Sequence, residues 1–195
     1  MKIASKVLVS LLCSVVSTGC LAPEDTSGQS GAELVESSAA LSPYVIHAVN
    51  AGGGAVGGFT EDAYFSQGDV FSNVSQPVST TDVYLAGPPE LYSDARQGGE
   101  FGYSFPGLTP QVRHAVVLHF AELYFTEPRQ RRFNVSLNGT VYSNIDIVSL
   151  AGAPFRATTL LYFVRADANG VINVNFSRGA NDQPLVSGIE VRLLE

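Results

Sequence analysis

From Tyr44 onward the chain is a series of short apolar or alternating runs separated by glycine, proline and asparagine. Phe133, Val135 and Leu137 alternate with Arg132, Asn134 and Ser136, the period of two that marks a half-buried strand. Ile172, Val174 and Phe176 alternate with Asn173 and Asn175, and Ile189, Val191 and Leu193 with Glu190 and Arg192. Two other runs, Tyr44 to Val49 and Val116 to Phe120, are nearly continuous in β-branched and large apolar residues, and the second reads as a central strand. Asn138-Gly139 fits a type I′ hairpin turn, which needs positive φ at both central residues. Val141 to Ile147 then returns as the partner strand. Thr158 to Val164, the turn Asp167-Ala168-Asn169-Gly170, and Val171 to Phe176 repeat strand, turn, strand. No long amphipathic helical pattern occurs outside the first residues, and no internal repeat is visible. The pattern predicts an all-β sandwich or barrel.

The N-terminal pattern is different. Lys2 and Lys6 precede a short apolar run, Val7 to Val16, too short to span a bilayer as a mature helix. Ser17-Thr18-Gly19-Cys20 follows and resembles a lipobox, in which cleavage leaves a diacylated cysteine; the alternative is an ordinary secretory signal cut nearby. The expected organisation is a signal peptide over 1–19, a flexible tether over 20–43 from lipidated Cys20, and a folded domain over 44–195. The tether is expected because 21–41 is rich in Ser, Gly, Ala and Glu and lacks aromatic residues. The expected location is the cell envelope, held to a membrane by acyl chains alone.

Only two cysteines exist, Cys13 and Cys20. The first falls in the signal and the second would carry lipid, so the domain must be held by its own core. Both lysines lie in the signal, and their removal takes the formal charge from -7 to -9. An acidic chain without a basic stripe is a poor partner for nucleic acid.

Little in the sequence supports catalysis, a cofactor or a metal. It has no Gly-x-Ser-x-Gly elbow and no Gly-Lys-Ser/Thr phosphate loop. His47 and His119 lie within apolar runs, where a hydrogen-bonded structural histidine is the commoner outcome, and no histidine pair has zinc spacing on one element. Glu100, Glu122 and Asp146 offer carboxylates for a glycosidase pair, which the sequence alone does not exclude. Pairing of Glu122 and Asp146 with arginine is the plainer reading. The glycine-rich run Ala51 to Gly58 precedes no helix and reads as a close-packed loop.

Aromatic residues remain. Sugar rings lay CH-rich faces on aromatic rings and leave hydroxyls for polar side chains. There is no tryptophan, so Tyr and Phe in turn-rich segments are the candidates: Tyr64, Phe65, Phe71, Tyr92, Tyr124 and Phe125. Tyr124 and Phe125 are adjacent, and on a regular strand they would face opposite ways. Both reach one ligand only where the strand breaks, and Thr126-Glu127-Pro128 is the expected break.

Six segments in order resemble malectin domains: Val45 to Gly53, Asp62 to Phe65, Leu91 to Arg96, Phe101 to Leu108, the Val116 to Gly139 block, and Ile145-Asp146-Ile147 with Ser187 to Val191. The resemblance spans 44–194. It implies a jelly-roll β-sandwich of galactose-binding-domain-like type that binds an oligosaccharide, in the animal family a glucose disaccharide unit, without catalysis. It implies ligand contacts at Tyr124, Phe125 and Asp182. Two family tyrosines fall at Gln97 and near Phe71, so each site position loses a phenolic hydroxyl. Arg96 keeps its family position and reads as structural, paired with a buried carboxylate or backbone carbonyls.

Overall fold

The computed structural model describes residues 44–194. The expected signal peptide, the expected lipidation at Cys20 and the expected tether fall on residues outside those described.

The described chain is an antiparallel β-sandwich of jelly-roll type. Its first sheet has the order β1 (Val45–Asn50), β12 (Gly188–Leu193), β6 (Arg113–Ala121), β9 (Ala157–Arg165). The facing sheet has the order β2 (Phe65–Ser66), β5 (Glu100–Phe105), β10 (Ile172–Asn181), β7 (Arg132–Leu137), β8 (Thr140–Ile145). A smaller sheet joins β11 (Leu185–Val186), β4 (Asp94–Gln97) and β3 (Asp69–Ser72).

Strand alternation explains the core. Phe133, Val135 and Leu137 of β7 and Ile172, Val174 and Phe176 of β10 point inward to meet Val116, Leu118 and Phe120 of β6. β6 is buried along nearly its whole length because its second face is also covered. There Phe59, Leu91 and Tyr92, from the long segment between β1 and β4, build a smaller apolar cluster with Ala121, Leu123 and Ala157. Phe71 packs against that cluster.

The same outer face holds a buried polar chain. The Gly87 N–H donates to the Tyr92 hydroxyl, which lies 3.0 Å from His119 Nδ1. His119 Nε2 is 3.0 Å from Glu190 Oε1, and Glu190 Oε2 accepts from Arg192 Nε at 2.6 Å. A tyrosine that donates to Nδ1 leaves Nε2 as the donor to the carboxylate. Burial pushes the Tyr92 hydroxyl up to about 12. Burial also pushes the Glu190 carboxyl up, but hydrogen bonds and charge from His119 and Arg192 outweigh it and leave it below its ordinary value. His119 is thus a satisfied structural histidine, and His47 likewise donates from Nε2 to the Pro106 carbonyl at 2.9 Å.

The glycine-rich run is close-packed only at its start, since Gly54 and Gly58 are exposed with open space where a Cβ would sit. Gly52 has φ +82°, and a Cβ there would sit 2.5 Å from the Ala95 carbonyl oxygen. Asn138 and Gly139 both have positive φ, as the hairpin turn between β7 and β8 requires. The return strand is shorter than its pattern suggests. It ends at Ile145, and Asp146 caps a short helix, α1 (Ile147–Ala151), by accepting from the Ser149 N–H. Asp146 also accepts from the Arg129 backbone N–H and pairs with no arginine side chain. A capping carboxylate satisfies helix N–H groups that a continuing strand would not present.

Candidate functional site

A surface cleft of about 190 Å³ is lined by Phe71, Gln97, Tyr124, Arg131, Asp182 and Gln183. Four of the five residues nominated from sequence therefore meet in one place, although they come from distant parts of the chain. Phe71 lies on β3 and Gln97 ends β4; the two strands pair with Phe71 opposite Ala95. Asp182 follows β10 in the loop that leads to β11, whose Leu185 pairs with Gln97. Tyr124 stands on the loop after β6.

That loop begins earlier than the sequence suggests. β6 ends at Ala121, seven residues before Pro128, so proline is not what breaks the strand. The cause is Glu122. Its Oε1 accepts from the backbone N–H groups of both Tyr124 and Phe125 at 3.1 Å, which folds the chain into a tight turn. The side chain is 1% exposed and is held by Arg131, with Nε 2.7 Å from Oε2. Arg131 is itself buried at 5% exposure and continues across the cleft. It donates to the Gln183 carbonyl, reaches Asp182 Oδ2 at 3.3 Å, and lies with its guanidinium carbon 5.1 Å from the Phe125 ring centre. One guanidinium thus fixes both walls.

The two adjacent aromatics divide their roles. Tyr124 is 68% exposed. Phe125 is half-buried and does not line the cleft. Their rings meet edge to face, with centroids 4.9 Å apart at 86°. Phe125 contacts both the exposed Tyr124 ring and the Arg131 guanidinium. Around Tyr124 the polar groups are the partly exposed Asp182 carboxylate, whose residue has φ +56°, and the Gln97 amide, which makes no hydrogen bond to the described residues.

The other aromatic candidates lie elsewhere. Tyr92 is fully buried. Tyr64 packs on His47 and Phe105. Phe65 lies under the Arg96 guanidinium at 3.5 Å. Arg96 is structural: it binds Asp62 at 2.7 Å and donates to the carbonyls of Gln67 and Gly68. Arg131 was not singled out by sequence reading. Its signal was a cluster of three arginines, Arg129, Arg131 and Arg132, closing the loop that opens with Glu122. Among the described residues no cluster of three His, Cys, Asp or Glu side chains is placed to hold a metal ion.

The fold is a β-sandwich, and the cleft is built from loops and short strands beside its sheets. The chain matches the malectin domain over residues 45–189 and belongs to the malectin domain family. The mouse (Mus musculus) protein named Malectin is 31% identical over 185 residues, which cover 84% of this chain and 60% of that protein. Among solved structures, the ANX2 ectodomain of Arabidopsis thaliana shares the fold at TM-score 0.71 and 16% identity, over 77% of this chain and 50% of its own. A plant complex of the peptide RALF23 with FER and LLG2 contains a chain similar at TM-score 0.63 and 17% identity, over 75% of this chain and 48% of its own. The chain spans 40% to 60% of the length of the curated relatives it matches.

Proposed function

We propose that this protein is a non-catalytic carbohydrate-binding module that seats a sugar ring on Tyr124. Family membership supports this reading. The observation that carries it is the cleft itself, where an exposed tyrosine ring on a rigid turn stands beside a carboxylate and an amide. The ring face takes the CH-rich side of a sugar, Asp182 accepts hydrogen bonds from sugar hydroxyls, and the Gln97 amide donates and accepts at the edge. Phe71 closes the wall. The cleft is small, so a single site binds weakly, about micromolar at best.

The test is a glycan array, followed by calorimetry on the best ligand. Tyr124→Ala together with Asp182→Ala is expected to abolish binding and leave the melting temperature nearly unchanged. A folded protein that binds no glycan above background would defeat the reading.

A second reading, protein interaction through the same cleft, is favoured by one observation: Gln97 and Phe71 stand where the family resemblance places tyrosines. Pull-down of a partner that still binds after enzymatic deglycosylation would support it. For the N-terminus we propose cleavage before Cys20, acylation there, and attachment to the cell envelope. Mass spectrometry of the N-terminal peptide tests this, and an unmodified Cys20 would refute it.

A further inference from the structure

The first sheet ends in an edge strand with few of the usual protections. β9 is nine residues long, pairs in unbroken register with β6, and reads ATTLLYFVR. It has no lysine, proline or bulge, the features that normally keep an exposed edge from pairing. The Ala157 N–H donates to Ser79 and not to β6, so the odd-numbered residues of β9 aim their backbone groups outward. The Arg165 carbonyl, on the same side, accepts from the Asn138 amide. Between these two closures, the outward N–H and C=O groups of Thr159, Leu161 and Phe163 meet no described residue.

A groove of about 380 Å³ runs beside that edge, where the two sheets open. It is lined by Leu160 and Tyr162 of β9, by Tyr142 of β8, whose ring touches that of Tyr162 with centroids 4.2 Å apart, and by the half-exposed Leu150 of α1. Beyond it, Phe163 is 47% exposed. The Arg113 guanidinium lies 4.6 Å from the Phe163 ring, and Arg113 is the cross-strand partner of Arg165. Neither arginine has a carboxylate partner among the described residues.

We propose that β9 is a docking edge for a short extended peptide of another protein, one that adds as an antiparallel strand. Unpaired N–H and C=O groups at strand spacing are met by another backbone, and alternate side chains of the added strand fall over the groove beside Leu160 and Tyr162. Antiparallel addition puts the start of the peptide beside Arg165, so the complementary peptide is acidic there and apolar at alternate positions. A second copy of this chain fits poorly. The open window from Thr159 to Phe163 is about 13 Å long at strand rise. That is too short for the ~800 Å² that each partner of a stable dimer buries. In two-fold pairing Arg165 would also face Ala157 of the other copy, which offers it no carboxylate.

The probe is a fluorescein-labelled hexapeptide, Asp-Val-Thr-Phe-Thr-Val, titrated with the purified protein and read by fluorescence anisotropy. Saturable binding below about 1 mM is expected, as suits a small contact. Leu161→Pro removes one outward donor without breaking a bond to β6 and should weaken binding at least tenfold. Peptides N-methylated at alternate amides give a control that leaves the protein untouched. One phase of methylation should abolish binding and the other should preserve it. Tyr124→Ala should leave peptide binding unchanged. Equal binding by both methylated phases, no saturable binding below about 1 mM, or a concentration-dependent dimer that Leu161→Pro dissolves would each overturn the proposal.

Discussion

Replacing Arg131 with alanine should damage both the fold and the cleft. Arg131 is 5% exposed and Glu122 is 1% exposed, so the variant strands a buried carboxylate. Breaking a buried ion pair from one side costs about 3–5 kcal/mol. Glu122 keeps the two N–H bonds from Tyr124 and Phe125, which places the expected loss near the lower end, about 3 kcal/mol. For a folded part of this size each kcal/mol is worth about 2–4 °C, so the melting temperature should fall by about 6–12 °C. Arg131→Lys keeps the charge but not the planar fork that spans Glu122, Gln183 and Asp182, and should lose about 1.5–3 kcal/mol. Urea denaturation gives the stability, and calorimetry with the array ligand gives the binding. The double variant Arg131→Met, Glu122→Gln removes the stranded charge and should recover part of the stability. It should not recover glycan binding, because the tyrosine turn has lost its anchor. A loss below about 1 kcal/mol for Arg131→Ala, with binding intact, would refute the idea that this guanidinium holds the walls together.

Three further outcomes follow from the geometry. The Glu190 carboxyl is held below its ordinary value of 4.5, so its stabilisation is full above that pH and is lost as pH falls through the lower folded value. The stability gap between the wild type and Glu190→Gln should therefore be widest near neutrality and shrink below about pH 4.5, read by urea denaturation across pH. Gly52→Ala forces a Cβ to 2.5 Å from the Ala95 carbonyl oxygen at φ +82° and should cost at least about 2 kcal/mol, seen as a lower melting temperature. Asp146→Ala removes the cap of α1 and the bond to Arg129, and should cost about 1 kcal/mol by thermal denaturation, without touching the cleft.

Periodicity and turn chemistry reveal most of the fold because they are local. The alternation in β7, β10 and β12 and the Asn138-Gly139 turn are written in consecutive residues, and the structure follows them. The end of β8 was not legible, since Val141 to Ile147 has the pattern of a strand while Asp146 acts as a cap. For the same reason the sequence points to Pro128 as the strand break before Tyr124. Proline is a visible local signal, whereas the Glu122 turn depends on an arginine nine residues on. Of the cleft residues, Phe71 and Tyr124 are legible as aromatics in turn-rich segments, whereas Gln97 and Asp182 come from resemblance alone. Nothing near Gln97 announces that it will lie beside Asp182; only the pairing of β4 with β11 brings them together. The role of Arg131 is not legible in the sequence because it rests on contacts to Gln183 and Asp182, some fifty residues away.

Buried Arg131, paired with Glu122, forms one part of the cleft's lining and holds Asp182, whereas among the described residues Phe71 and Gln97 make no side-chain bond to either member of the pair. On the proposed function, the anchor and part of the recognition surface are therefore separable. A lineage, or a library, can exchange Phe71 and Gln97 and change what is recognised while every variant keeps the same buried anchor. Ligand choice in such a module can drift by small steps through folded intermediates, without the domain having to be rebuilt.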